Sequence, residues 1–272
     1  MPMSHVPRLA LPAAILLASL LAATPNAAAQ PAATTACSRT WVGHETEIEQ
    51  ALAERAILRM EAVPIGVTKP QRGYLDAGGP VARFAWKALP PGRRVSGYSE
   101  SYKAEIAAYH LDRLLGLHMV PPVVERRVDG KVGAAVMWIE QTTGWEKDKP
   151  VQGPEPHWSQ QVSRMKLFDQ LIANIDRNQG NLLYDSDWHL FLIDHSRAFT
   201  ARTSLDGIAV PGVIDREMWQ KMEALTAADL ERALGAWLTA DERKALLTRR
   251  DRMRVAIAKM VKDKGAALVF VG

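Results

Sequence analysis

The sequence predicts an α+β chain of two lobes around a cleft, a small β-rich N-lobe and a mainly helical C-lobe. Three observations carry that prediction. Short runs with strand-like alternation, at 72–76, 81–89, 119–124 and 132–140, flank one long helical stripe at 99–117. From residue 159 onward the apolar spacing is largely helical, and the patterns from Thr226 to Asp229 and from Thr239 to Glu242 open helices there. Between the halves lies 172–199, where an apolar helix end runs into a polar loop, two short apolar strands and an acid.

The first 29 residues read as a leader rather than as part of the fold. Arg8 supplies a positive start, 9–23 an apolar run, and Ala27-Ala28-Ala29 a small-residue cleavage site before Gln30. The run is broken by Pro12 and is too short to span a membrane. Export is therefore expected, to the periplasm or out of the cell, with no membrane span after signal cleavage. Residues 30–40, rich in Ala, Thr and Pro, read as a disordered lead-in. Cleavage leaves roughly 240 residues, enough for one large domain or two lobes. Formal net charge falls from +4 to +3, because the leader carries Arg8 and no acid. That mild excess, without a Lys/Arg block, argues against nucleic acid as a partner. The single cysteine, Cys37, excludes an intramolecular disulfide.

The N-lobe is expected over 41–140. A helix is predicted at 45–60, with Ile48, Leu52, Ala56 and Leu58 mostly on one face. Segments 64–70, 72–76 and 81–89 read as three short strands, with Gly78-Gly79-Pro80 as a turn. Alternation sets Lys87 beside Ala85 and Leu89, opposite Phe84 and Trp86. A lysine there is an edge or snorkelling residue unless a carboxylate holds it in the cleft. The following helix offers one, Glu105, at the border of its apolar stripe. Asp129-Gly130 joins the next two strands, and Ile139 lies at the end of the second. Residues 141–158, rich in Gly, Pro and Lys, read as a loop: a linker, a flap over the cleft or a surface excursion. The C-lobe, 159–272, opens with a helix at 159–174 that delivers the chain to Asp176.

Asn181 lies five residues after Asp176, and Asp194 eighteen after it. Asp, Asn and Gly gather in turns because their short side chains bond the local backbone. That explanation suffices for Asp185-Ser186-Asp187. Asp194 is different: it ends the apolar run 190–193, and an acid held there needs a metal or a cation. Phosphoryl transfer uses such a set, one carboxylate for the attacking hydroxyl and two oxygen ligands for metal on ATP phosphates. In protein kinases the catalytic-loop Asp precedes the metal-binding Asn by five residues, and a second metal-binding Asp follows the next hairpin. The spacing here fits.

The segment 104–116, followed by Val120-Pro121-Pro122, resembles the helix-and-exit signature of the atypical secretory-pathway kinases, the four-jointed and Golgi casein kinase group. Asn174-Ile175-Asp176-Arg177 and the run 193–199 resemble that group's catalytic loop and metal-binding turn. The pattern Asp-Arg-x-x-x-Asn is also similar to phosphatidylinositol 3- and 4-kinases and to HipA-type kinases. The likeness covers roughly 66–199. It implies a two-lobed protein-kinase-like fold with ATP and Mg2+ or Mn2+ in the cleft. Lys87 would contact phosphates, and Glu105 would hold that lysine or the metal. The backbone around Ile139 would meet adenine, Asp176 would be catalytic, and Asn181 and Asp194 would bind metal. Two departures stand out. Asn181 occupies the place of a Glu in the Golgi members, and Asp194 is followed by His195-Ser196 rather than Phe-Gly or Asn-Gly.

The expected activity is an exported kinase-like phosphotransferase with its catalytic loop at 174–199. It would move the γ-phosphate of ATP to a hydroxyl of a protein, lipid or small molecule. The alternative is an inactive pseudokinase serving as an exported nucleotide- or partner-binding module, against which the five retained polar residues argue. A hydrolase is disfavoured by the absence of GxSxG and HExxH.

Overall fold

Strand pairing begins where the first helix ends. The computed structural model describes residues 1, 39, 41–64, 70–95, 98–146, 149 and 151–272. Almost all of the leader and lead-in, and the centre of the strand expected at 64–70, lie outside the described residues. Helix α1 covers Glu45–Glu54 and not 45–60 as the periodicity predicts. Arg55 takes an extended conformation and donates to the Asp76 carboxylate at 2.8 Å. The next residues enter a sheet as β1 (Ile57–Ala62), so cross-strand pairing overrides helical spacing there.

Strands β2 (Gln71–Leu75) and β3 (Arg83–Lys87) follow, antiparallel to their neighbours. A hairpin of β4 (Arg93–Val95) and β5 (Tyr98–Glu100) then precedes helix α2 (Tyr102–Leu115). Sequence reading places Ser99 and Glu100 in the helix; instead Ser101 caps it, accepting from the Lys103 N–H. Gly116 ends α2 in the left-handed region, at φ 60°. Strands β6 (Val123–Val128) and β7 (Lys131–Met137) complete a five-stranded sheet of order β1-β2-β3-β7-β6. β6 starts four residues later than the expected strand, because Asp112 first captures the backbone N–H groups of His118, Met119 and Val120.

The second lobe has β8 (Thr143–Gly144), α3 (His157–Ile172), a 3-10 turn at Gln179–Asn181, β9 (Leu182–Tyr184) and β10 (Leu190–Leu192). β11 (Ile214–Asp215), α4 (Arg216–Ala224), α5 (Ala227–Leu234), α6 (Ala240–Lys264), α7 (Ala266–Val269) and β12 (Phe270–Val271) follow. Thr226 and Thr239 both make reciprocal capping boxes, as their spacing predicts. The chain is not helical directly after Asp194. Residues 195–213 run as turns, and buried Arg249 of α6 binds carbonyls of Thr200 and Leu171 at 3.0 and 2.8 Å. Those bonds satisfy one carbonyl of the turn segment and one of the last turn of α3, which the helix itself leaves unpaired.

Two apolar clusters hold the lobes. Trp41, Leu52, Phe84 and Trp86 pack beneath the sheet with Phe191. Ile106, Tyr109 and Leu111 of α2 share a core with Phe168, Leu171 and Leu230 of the helical lobe. Helix α2 is thereby fixed to both lobes, which sets where Glu105 can reach. No helix among the described residues is long and apolar enough to cross a membrane.

Candidate active site

A cavity of about 680 Å³ opens between the lobes, lined among others by Ala85, Lys87, Ile139, Asp176, Asn181 and Asp194. Lys87 ends β3 with its side chain inward. β7 approaches so closely that a Cβ on Gly133 would lie 2.5 Å from the Lys87 carbonyl oxygen, so glycine is required where the backbone carrying Lys87 meets its neighbour. Lys87 Nζ donates to Glu105 Oε1 at 2.6 Å and to Asp194 Oδ1 at 2.9 Å. Glu105, at the border of the stripe in sequence, is only 2% exposed.

Burial and charge act against one another in this cluster. Burial pushes the Lys87 ammonium down, but Asp194 and Glu105 outweigh it and hold the lysine protonated. Burial raises the Asp194 carboxyl, yet Lys87 and the Ser196 hydroxyl bring it down to about 2. Glu105 moves upward, because its burial exceeds the help it takes from Lys87. Asp194 is thus the ionised partner that faces the cavity. Its backbone is left-handed, φ 62°, a conformation that costs a non-glycine residue of order 1 kcal/mol and recurs at functional turns.

The loop carrying Asp176 is built from side-chain bonds to its own backbone. Asn174 Oδ1 accepts from the Asp176 N–H, and Asn178 Oδ1 from the Gly180 N–H. Asn181 Nδ2 donates to the Asp176 carbonyl at 3.1 Å, which turns its Oδ1 into the available ligand atom. Arg177 then ties the loop to both sides. It binds buried Asp169 of α3 through Nε and Nη2, and the Asn181 and Ile193 carbonyls through Nη1, all at 2.9–3.0 Å.

His195 lies at 1% exposure, its N–H donating to Glu105 Oε2 at 3.0 Å and its Nε2 facing Arg177 Nη2 at 2.9 Å. Burial, with Arg177 and Lys87 nearby, holds the ring neutral, well below the ordinary histidine range, so Nε2 accepts from Arg177. The stability consequence has a definite sign. The unfolded chain protonates at its ordinary value while the folded ring does not, so stability is complete above ~6.5 and lost below it. In metal-free protein, urea titrations from pH 7.5 to 5 are expected to show a loss approaching ~1.4 kcal/mol per pH unit from this residue. His195→Gln should flatten the slope by that amount, and an unchanged slope would count against a neutral buried ring.

At the far end of the cavity, Ile139 follows β7 and is 5% exposed. Arg83 fixes this crossing segment, pairing with Glu140 at 2.8 Å and accepting Trp138 N–H at its carbonyl. All six residues singled out from sequence therefore surround one cleft: five line the cavity and Glu105 stands behind Lys87. Sequence reading missed Asp169 and the structural role of Arg177, and also Arg197, which reaches Asp176 from the other side, and Glu100, which holds Arg197. An acid directly after Leu167-Phe168 and before Leu171-Ile172 was a visible signal for Asp169; nothing local marks Glu100.

The oxygen donors suit a hard divalent cation, which prefers carboxylate and carbonyl ligands. Asp194 is ionised and Asn181 offers Oδ1, so both fit Mg2+ or Mn2+. A second group of metal-type donors, Asp185, Asp187 and His189, forms a turn elsewhere. Asp185 Oδ1 there accepts from the Asp187 and His189 N–H groups, and Oδ2 meets His189 Nδ1, so the group serves the turn.

No protein-family model matches the chain, and no curated protein matches it. Solved structures do. A hydra Fam20 structure, solved with sugar, superposes with TM-score 0.67 at 18% identity, over 84% of this chain and 92% of that one. The Golgi casein kinase superposes with TM-score 0.65, and with 0.63 in a form with Mn and ADP bound. Each is 15% identical over 85% of this chain and 79% of the other. The chain thus has the two-lobed protein-kinase-like fold seen in the hydra Fam20 and Golgi casein kinase structures.

Proposed function

We propose that this protein is an exported kinase-like phosphotransferase that moves the γ-phosphate of ATP to a hydroxyl acceptor. The observation that carries this reading is the Lys87–Glu105–Asp194 cluster, whose Lys87 and Asp194 line the same cleft of about 680 Å³ as Asp176 and Asn181. Lys87, held protonated by two acids, supplies a fixed positive charge for phosphate oxygens. The segment at Ile139 gives a planar base an apolar wall and backbone groups. Asp176 orients the acceptor hydroxyl and takes its proton as the new O–P bond forms and the bond to the ADP oxygen breaks. Asn181 and Asp194 would hold a divalent metal, which neutralises phosphate charge when bound. That a Golgi casein kinase of the same fold binds Mn and ADP supports this choice of ligands.

Thermal melts with ATP and Mg2+ or Mn2+ test the reading. At about a hundred times its dissociation constant, metal–ATP is expected to add about 2.7 kcal/mol of stability. Asp194→Asn should remove that gain. Asp176→Asn should keep it while lowering ADP release by about 10²–10⁴-fold. No shift in the wild type at millimolar metal–ATP would overturn nucleotide binding. Export rests on residues 1–29 and has its own check. Intact mass of protein from the periplasm or medium of a bacterial host should correspond to a chain beginning at Gln30, and retention of Met1 would overturn it.

A further inference from the structure

We infer that Arg197 is a positioning residue for Asp176, held in place by Glu100; the inference rests on the phosphotransfer reading of the cleft. Arg197 Nη1 donates to Asp176 Oδ2 at 3.0 Å. Its Nε and Nη2 both donate to Glu100 Oε1, at 3.0 and 2.9 Å. Glu100 ends β5, is 1% exposed, and belongs to the hairpin that leads into α2. The neighbouring backbone is tied as well: the Ser101 N–H donates to the Ser196 carbonyl at 2.9 Å. One guanidinium thus connects the wall of the small lobe to the carboxylate that faces the acceptor.

The two acids meet different edges of the Arg197 guanidinium. Guanidinium and carboxylate are best matched as a fork, two parallel N–H···O bonds to two oxygens. Here both bonds fall on Oε1, and Oε2 is buried without a hydrogen-bond partner among the described residues. A buried oxygen left unpaired is costly and calls for an explanation. The Nε–Nη2 edge of Arg197 holds Glu100, and Nη1, turned away from that edge, donates to Asp176. Glu100, buried at the end of β5, thus fixes the guanidinium from which Asp176 receives its bond. With Oδ2 so engaged, Asp176 turns Oδ1 to the incoming hydroxyl.

The test is a mutant cycle on metal-dependent ADP release from ATP, with water as acceptor, run on the full chain. Arg197→Gln should lower kcat by about a hundredfold, the scale of a misplaced reacting group, with the KM for ATP changed by no more than about threefold. Arg197→Lys should recover part of the loss. In the Asp176→Asn background, Arg197→Gln should add almost nothing, because the group it positions is already gone. Equal losses in both backgrounds, or a change confined to KM, would overturn the positioning role. If Arg197→Gln does not fold, Glu100→Gln carries the same cycle, with a smaller loss in kcat and the same lack of additivity. A wild type without nucleotide stabilisation or ADP release removes the phosphotransfer reading itself, and the role of Arg197 with it. A wild type that binds and turns over while Arg197→Gln is unaffected removes only the latter.

Discussion

Lys87→Met is expected to destabilise the protein by about 3–5 kcal/mol, the usual result of leaving buried charge without its partner. Lys87 is 9% exposed and bonds both Glu105 and Asp194, so its loss sets two carboxylates side by side. The deficit should depend on pH. Burial already raises the Glu105 carboxyl against the pull of Lys87, and without the lysine it rises further. A raised acid contributes stability while protonated and loses it as pH rises through the folded value. Urea denaturation of wild type and variant should therefore show a gap that widens from pH 5 to pH 8. A gap below about 1 kcal/mol throughout would mean that solvent compensates the acids, as at exposed pairs. Metal–ATP stabilisation should vanish in the same variant, since the phosphates lose their fixed cation.

Arg177→Met is the second large effect expected, again about 3–5 kcal/mol. Asp169 is 3% exposed and receives two bonds from Arg177. The Asn181 and Ile193 carbonyls and the His195 ring also lose a donor. The double variant Arg177→Met/Asp169→Asn should be less destabilised than the sum of the single variants, because the stranded charge is then absent. Additive losses would show that the two residues act separately. Nucleotide binding should weaken with stability, as Arg177 joins the loop of Asp176 to the strand end before Asp194.

Much of this could be read before the fold was seen. The five-residue step from Asp176 to Asn181 is local, and a loop of Asx turns realises it within itself. The caps at Thr226 and Thr239 are equally local, and both form. Elements failed where a local pattern met a tertiary demand. The helical stripe over 45–60 breaks at Arg55 because the chain must turn to pair with β2, and Arg55 finds Asp76 only in the fold. The hairpin of β4 and β5, whose last residues overlap the expected helix start at Ser99, escaped for another reason: two three-residue strands have too few side chains to show alternation.

The sequence by itself determined which groups are available and their spacing along the chain: Lys87 on the strand face opposite Phe84 and Trp86, Glu105 on a helix, and the two aspartates and an asparagine around a polar loop. Only the tertiary structure decided that these groups meet, and with what else. Lys87 and Asp194 are 107 residues apart, and Arg197 and Glu100 are 97 apart. The periods of helix and strand encode which face a side chain takes, within a few residues. An ion pair between distant elements depends on where packed lobes bring two side chains within about 3 Å, the reach of a hydrogen bond, and no local pattern carries that distance.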